Sequence, residues 1–455
     1  MSLDLSKSKE FYIKLIAIAI PIALQQLIVS SLNLVDTFMI ASLSKEAIAG
    51  VGAANKLFFL LNLFLFGMSS GSSILTAQFW GTKDIDGIKK VYGLSLAIAM
   101  AGSFLFTIMA VVFPKFVMGI FTTDLMVIEE GANYMRIVGI SYVFTSITFI
   151  TSFVLRSTNN VKLPLMVTVI AILMNTCLNY ILIFGMLGFN ALGVEGAAIA
   201  TVIARFVECA LLVYLVNRYR LPPSGLPSQI FRFSKAMTKK FIVIAMPVVI
   251  NEVLWSTGVT MYAVVYGRMS TDAMAAMTIT QTVEQIAFVL LVGVGNACGI
   301  ILGNSLGSGE QESVLEDAKR FIGVSFMIGA IVGLGVIMIA PSIASIYNVS
   351  DTVYYNIVGS LSVYGLYLSV KSVNMSIIVG ILRSGGDTKY CAILDAAGVW
   401  AIGVPLAFIT GLYLKIDLPY VYAAILFEEL FKVSFGIKRV LSKKWMNNLV
   451  DHSNS

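Results

Sequence analysis

Charge is what this sequence has least of. Asp, Glu, Lys and Arg make up 12% of its 455 residues, against roughly 25% in a soluble domain. That scarcity, with 58% hydrophobic residues, excludes a soluble globular protein and points to an integral membrane protein. There is one histidine, His452, in the tail DHSNS, where it reads as a solvated end residue. Without an intramembrane histidine, an HExxH or a GxGD (the chain has SGGD at 384–387), the parts of an intramembrane hydrolase are missing, so no enzyme is expected. The four cysteines, Cys177, Cys209, Cys298 and Cys391, fall in or beside apolar segments with no CxxC spacing, so they read as buried packing residues and not as disulfide or metal ligands. Alternating strands of about ten residues are absent, which excludes an outer-membrane barrel. The polar start MSLDLSKSKEFYIK runs straight into a full-length span, so no cleavable signal peptide is expected.

What the chain does have is apolar runs long enough to cross a bilayer, for which about 20 residues suffice. Twelve are expected: 13–40, 50–78, 91–113, 132–154, 163–187 and 193–216, then 240–265, 274–302, 321–345, 356–381, 391–413 and 418–438. The polar, proline-bearing and basic stretch at 217–239 is the one evident boundary, giving an N-lobe (1–216), a linker and a C-lobe (240–455). Among the odd-numbered loops the only basic residues are Lys45, Lys115, Arg268 and Lys415, whereas the even loops, the linker and both ends hold most of the 31. By the positive-inside rule both termini are cytoplasmic. The basic runs near the linker and at KRVLSKKW are topology signals beside anionic lipid, not nucleic-acid sites.

The chain repeats itself. A shift of 226 residues puts Pro21 on Pro247, Gly67 on Gly293, Gly81 on Gly307, and SLSKEAIAGVGAANK (42–56) on RMSTDAMAAMTITQT (268–282). With one residue of slip, VLRSTNNVK (154–162) faces ILRSGGDTK (381–389). Six spans is an even number, so the halves enter the membrane in the same orientation. The fold expected is therefore all-α, twelve transmembrane helices in two six-helix lobes related by a pseudo-two-fold axis along the membrane normal, with sites near the midplane.

The residues that break the apolar pattern are the candidates for chemistry. Asp36, in SLNLVDTFMIASL, is a carboxylate deep in the first span, where a charge costs roughly 3 kcal/mol; its repeat mate is Tyr262. Asn175 and Asn179 lie four apart on one face of the fifth span, and Thr201 sits on the sixth. Together these four supply hard oxygen ligands for a small cation such as Na+, or hold a proton on Asp36 within a hydrogen-bond network; taken singly, Asn and Thr read as interhelical glue. In the second half Glu252, whose mate is Gln26, comes one turn after Pro247 and could pair with Lys371. Glu284 and Asp395 are further candidates, Asp395 near a cytoplasmic helix end where water could reach it. Glu428 and Glu429 with Lys432 read as an i,i+4 structural pair, and Arg156 and Arg383 of the LRS motifs as helix-end residues that bind carbonyls or lipid phosphates. Pro21 and Pro247 each remove a helical bond and mark hinge candidates.

In order and spacing these pieces resemble the MATE (multidrug and toxic compound extrusion) family across essentially the whole chain, and in particular its NorM-like prokaryotic members. The resemblance rests on P-x3-QQ-x4-SLNLVDTFMI, GVGAANK, N-x3-N-Y-x2-I-x-G-x2-G with GVEGAAIAT, and the repeated LRS block. It implies a two-lobed antiporter of the bacterial cytoplasmic membrane, a monomer that exports small organic cations in exchange for Na+ or H+ and needs no other cofactor. Asp36 then matches the family's N-lobe acid and Asn175, Asn179 and Thr201 its polar partners, with Asn179 standing where some prokaryotic members have Asp. Glu252 resembles the seventh-helix acid of the NorM-like branch; that branch's tenth-helix carboxylate has no equivalent here, where Lys371 lies nearby. A lipid-linked oligosaccharide flippase of the same build is the alternative, but such a cavity calls for Arg and Lys, and the mid-span ionisable residues are mostly acidic.

Overall fold

The structure is a computed structural model that describes residues 5–347 and 349–450; His452 lies outside them. Among the described residues it is all helix. The first half runs α1 (Leu5–Ala41), α2 (Lys45–Gly81), α3 (Ile85–Val112), α4 (Pro114–Phe121), α5 (Leu125–Val138), α6 (Ser141–Ser157), α7 (Lys162–Phe184) and α8 (Gly193–Arg218), and α9 (Pro227–Ile230) follows. The second half runs α10 (Lys235–Met269), α11 (Thr271–Ser308), α12 (Gln311–Ile346), α13 (Asp351–Met375), α14 (Thr388–Ala397), α15 (Val404–Phe408) and α16 (Leu418–Leu441). Wider π-helical turns prolong α13 over Ser376–Leu382 and flank α15 over Gly398–Gly403 and Ile409–Tyr413.

Among the described residues ten continuous helical stretches, or eleven counting one bent pair, are long and apolar enough to cross a membrane. The twelfth span is α16, 24 residues long but carrying Glu428, Glu429 and Lys432 within it. The fourth span is not the straight helix expected over 132–154. It is α5 and α6, bent by 54°. Gly139 lies in the break, and its carbonyl accepts the Tyr142 N–H three residues on at 3.3 Å, a tighter turn than the α-helix, together with the Thr107 hydroxyl at 3.0 Å. A polar side chain inserted into the ladder is a recognised cause of such kinks.

The repeat is legible in local structure. Ser44 and Ser270, 226 residues apart, each cap the helix that follows by accepting the N–H three residues on at 3.0 Å, and each is followed by an acid in the first turn, Glu46 or Asp272. Both choices suit a helix N-terminus, whose free N–H groups and positive dipole end need an acceptor.

The chain folds as two compact units, Leu24–Val249 and Met1–Ala23 with Ile250–Ser455, here the N-unit and the C-unit. Their boundaries fall inside α1 and α10, each two residues past a proline, and not in the 217–239 linker. Both helices continue through the proline, which lacks the N–H that would bond the carbonyl four residues back. In the N-unit α2 packs on α3, α5 and α6, and α8 on α5, α6 and α7; the start of α10 lies on α2, where a Cβ on Gly67 would stand 2.8 Å from the Val249 Cα. In the C-unit α13 packs on α11, α12 and α16; the start of α1 lies on α11 and α12, with Phe11 edge-on to Phe321 at 4.8 Å and a Cβ on Gly293 only 2.7 Å from the Ala19 carbonyl. The repeat-mated glycines do the same work: each lets the early part of a first helix approach closely.

Candidate functional site

α7 turns Asn175 and Asn179 inward, both buried. Asn179 Nδ2 donates to Asp36 Oδ1 at 2.7 Å and to Asn175 Oδ1 at 3.3 Å. Its own Oδ1 is buried with no partner. An orphaned acceptor is costly in a dry interior, and here it stands in the amide already bonded to a carboxylate. Cys177, two residues round the helix from each Asn, is exposed, which corrects the expectation that all four cysteines are interior; the other three are buried.

Asp36 and Asn175 open onto a cavity of about 440 Å³ within the N-unit. Phe58, Phe59, Tyr134 and Tyr142 supply aromatic wall, Asn55, Asn62 and Ser141 polar points. Thr201 also lines it, but its hydroxyl donates to the Ala197 carbonyl at 2.9 Å and not to Asp36. Of the four residues singled out in this half, the structure therefore joins three by hydrogen bonds and puts the fourth on the same wall with its lone pairs free. One carboxylate with amide and hydroxyl oxygens suits a monovalent cation or a proton; among the described residues no group of three or more His, Cys, Asp or Glu is placed to hold a metal ion.

Two ionisable residues of this cavity escape the sequence reading. Arg205 and Glu208, both on α8, line it and pair at 2.8 Å. The second Glu208 oxygen accepts the Thr168 hydroxyl at 3.0 Å; Thr168 accepts Gln25 Nε2 at 2.9 Å, and Gln25 Oε1 accepts Arg156 Nη2 at 2.8 Å. The available signal was a carboxylate and an arginine three residues apart in the middle of an apolar span, the same kind of anomaly as Asp36.

The C-unit candidates separate into two groups. Glu252 pairs with Arg383 at 3.0 Å, not with Lys371. Arg383 is only 2% exposed, so it is an interior residue; Arg156 is likewise bonded inward, to Gln25, and stacks on Phe153 at 5.1 Å. The helix-end reading of the LRS arginines is replaced by this one: a guanidinium on the last turn of its span reaches back to the first helix of its unit. Asp395 is buried rather than wetted, accepting Asn251 Nδ2 at 3.1 Å and pairing with Lys432 at 2.8 Å. Lys432 also pairs with Glu428 at 3.3 Å, the expected i,i+4 contact, and Glu428 accepts the Tyr262 hydroxyl at 2.8 Å. Glu429 instead accepts Asn374 Nδ2 at 2.6 Å. In the second group Glu284 accepts the Tyr422 hydroxyl, and Lys371 stands over the rings of Tyr364 and Phe288 at 5.3 and 5.8 Å, a cation–π setting.

Comparison with known proteins agrees with the repeat. The MatE family model matches twice, over residues 21–181 and 247–409, the second match starting 226 residues after the first. The chain is 27% identical over 405 residues to "Probable multidrug resistance protein YoeA" of Bacillus subtilis, covering 88% of this chain and 87% of that protein. It is 24% identical over 441 residues to "Probable multidrug resistance protein NorM" of Thermotoga maritima, covering 96% and 94%. Among solved structures, a MATE protein in complex with MaL6 superposes with a TM-score of 0.86 at 19% identity, covering 95% of this chain and 96% of that one. A MOP superfamily transporter from Pyrococcus furiosus, whose binding pocket is described as having reverse polarity, superposes with 0.85 at 19% identity over the same shares. With its two matches spanning most of the sequence, the chain belongs to the MatE family of multidrug efflux transporters, and is a multi-pass membrane transporter rather than an enzyme.

Proposed function

We propose that this protein is a cation-coupled multidrug antiporter that exports organic cations by alternating access, with Asp36 holding the coupling cation, Na+ or H+. One observation carries the reading: the carboxylate of Asp36 is tied to Asn179, whose buried Oδ1 lacks a donor. A Na+ ion, the O–H of a protonated Asp36 or the ammonium of a solute would each satisfy that oxygen, and each carries or adds positive charge. Binding of one therefore competes with binding of another, which is what exchange of an inward cation for an outward cationic solute requires. The aromatic wall of the cavity suits lipophilic cations. A flippase for anionic headgroups would need several basic residues facing the cargo, whereas Arg205 is the one basic residue of this wall and is tied to Glu208.

In this reading the protein works as a monomer in the cytoplasmic membrane of a bacterium with both termini inside, the linker at 217–239 joining the two homologous halves on that side, and Pro21 and Pro247 as the points about which the first helices flex. The test is efflux of a cationic dye from proteoliposomes under Na+ and H+ gradients imposed separately. One gradient should drive efflux in the wild type, and Asp36→Asn should abolish it while the protein still inserts. Gradient-driven efflux at the wild-type rate in that variant would sink the assignment.

A further inference from the structure

The repeat superimposes two charged nodes that no single helix reveals. From the LRS motifs onward the offset is 227, which puts Thr168 on Asp395, Thr201 on Glu428 and Arg205 on Lys432. In the first helix the offset is 226, which puts Asp36 on Tyr262. In the C-unit these positions form a bonded line: Tyr262 donates to Glu428, Glu428 pairs with Lys432, and Lys432 pairs with Asp395. The basic residue on the sixth helix of that unit is thus shared between two carboxylates and sealed, its side chain 3% exposed.

In the N-unit the same line reads Asp36, Thr201, Arg205 and Thr168. The basic residue has one carboxylate fixed to it, Glu208 at 2.8 Å, and its side chain is 29% exposed although that of Glu208 is 3% exposed. The other acid on the wall that Arg205 shares is Asp36. Glu208 does not depend on Arg205 alone, since its second oxygen is held by Thr168. Asp36 has a single amide donor. A guanidinium on a long, partly exposed side chain, between one carboxylate with a second bond and one without, has two places to go.

Building on the proposed role of Asp36, we propose that Arg205 is a tethered cation for that carboxylate. When neither coupling ion nor cationic solute occupies the cavity, the guanidinium leaves Glu208 and neutralises Asp36; an arriving cation displaces it back to Glu208. The carboxylate left without the guanidinium is then Glu208, which keeps the Thr168 hydroxyl, and Arg205 sets how strongly a cation must bind to enter. Lys432 is the frozen counterpart of this switch, held by both of its acids at once, so exchange of partners belongs to the N-unit.

Ethidium binding to the full-length protein in lipid nanodiscs, read by fluorescence anisotropy, tests this. The double variant R205Q/E208Q keeps the net charge of the cavity and removes the competitor, so ethidium should bind about tenfold more tightly than to the wild type, a size typical of one close charge pair. If R205Q/E208Q does not purify as a monodisperse species, R205M/E208M makes the same charge-neutral deletion with apolar side chains and carries the same expectation. Affinity within about twofold of wild type in the variant that purifies, a difference smaller than one such pair supplies, overturns the proposal. D36N, measured alongside, separates the two readings. Unchanged ethidium binding in D36N removes Asp36 from the site altogether; lost binding in D36N with unchanged binding in the charge-neutral pair refutes the tethered cation alone.

Discussion

Replacing Glu252 probes whether the two units solve one problem with different chemistry. In the N-unit Gln25 does two jobs, donating to Thr168 and accepting from Arg156. In the C-unit the jobs are divided: Asn251 donates to Asp395, and Glu252 accepts from Arg383. The Arg156–Gln25 and Arg383–Glu252 bonds both span 131 residues of sequence, at 2.8 and 3.0 Å. The fold therefore already tolerates a buried arginine paired with a neutral amide. E252Q converts the C-unit pair into the N-unit kind, exchanging an ion pair for a bond from the guanidinium to a neutral amide at a cost of about 1–2 kcal/mol. E252L removes the acceptor. Arg383 Nε and Nη1 are already without partners, so the guanidinium would lose its bond to residue 252 and sit unpaired in the interior at a cost of roughly 3–5 kcal/mol. Thermal melting of detergent-purified protein, followed by fluorescence-detected size exclusion, should rank wild type above E252Q and E252Q well above E252L. Adding R383M to E252L should recover much of the loss, because deleting both members of a buried ion pair is cheaper than deleting one. The reasoning is refuted if E252Q melts with E252L, or if E252L melts with the wild type.

K432M should be among the most destabilising single changes in the C-unit, by about 3–5 kcal/mol, because it leaves Asp395 and Glu428 without their shared cation; the same melting assay reads it, and a loss under about 1 kcal/mol, the worth of an exposed surface pair, would contradict the sealed node. P21A gives back a missing helical donor in α1, so the protein should melt at a higher temperature by an amount worth up to about 3 kcal/mol. Its gradient-driven dye efflux should be slower, since the flex point is lost, and an unchanged turnover in a stabilised variant would show that α1 does not bend there during transport.

The frame was legible because it rests on long, regular signals. Twelve apolar runs and the offset of 226 are patterns that tertiary context rarely overrides. Asp36 with Asn175 and Asn179 was legible for a related reason: a carboxylate in an apolar run is an anomaly, and an i,i+4 pair fixes a shared face. The fourth span's bend was not, because the carbonyl in its break is held partly by a hydroxyl from another helix, Thr107, which nothing near Gly139 in sequence announces. The pairing of Glu252 with Arg383 instead of Lys371 was hidden likewise, since sequence shows which charges need partners but not which of several is in reach. Arg205 and Glu208 were overlooked although they break the apolar pattern as Asp36 does. Their functional meaning comes only from the cavity wall they share with it.

The division of α1 and α10 at their prolines bears on how the molecule is made and where it came from. Residues Met1–Ala23 precede the whole N-unit in sequence, yet they belong to the unit formed by Ile250–Ser455. The C-unit thus closes around a segment made before the N-unit, and deleting the first turns of α1 should unravel the C-unit while sparing the N-unit. Neither six-span half holds its own first helix entire, so neither should fold alone, while the two expressed as separate chains should rescue each other. Two identical six-span chains trading the starts of their first helices would be a domain-swapped dimer; joined end to end and left to diverge, such a dimer gives the arrangement seen here.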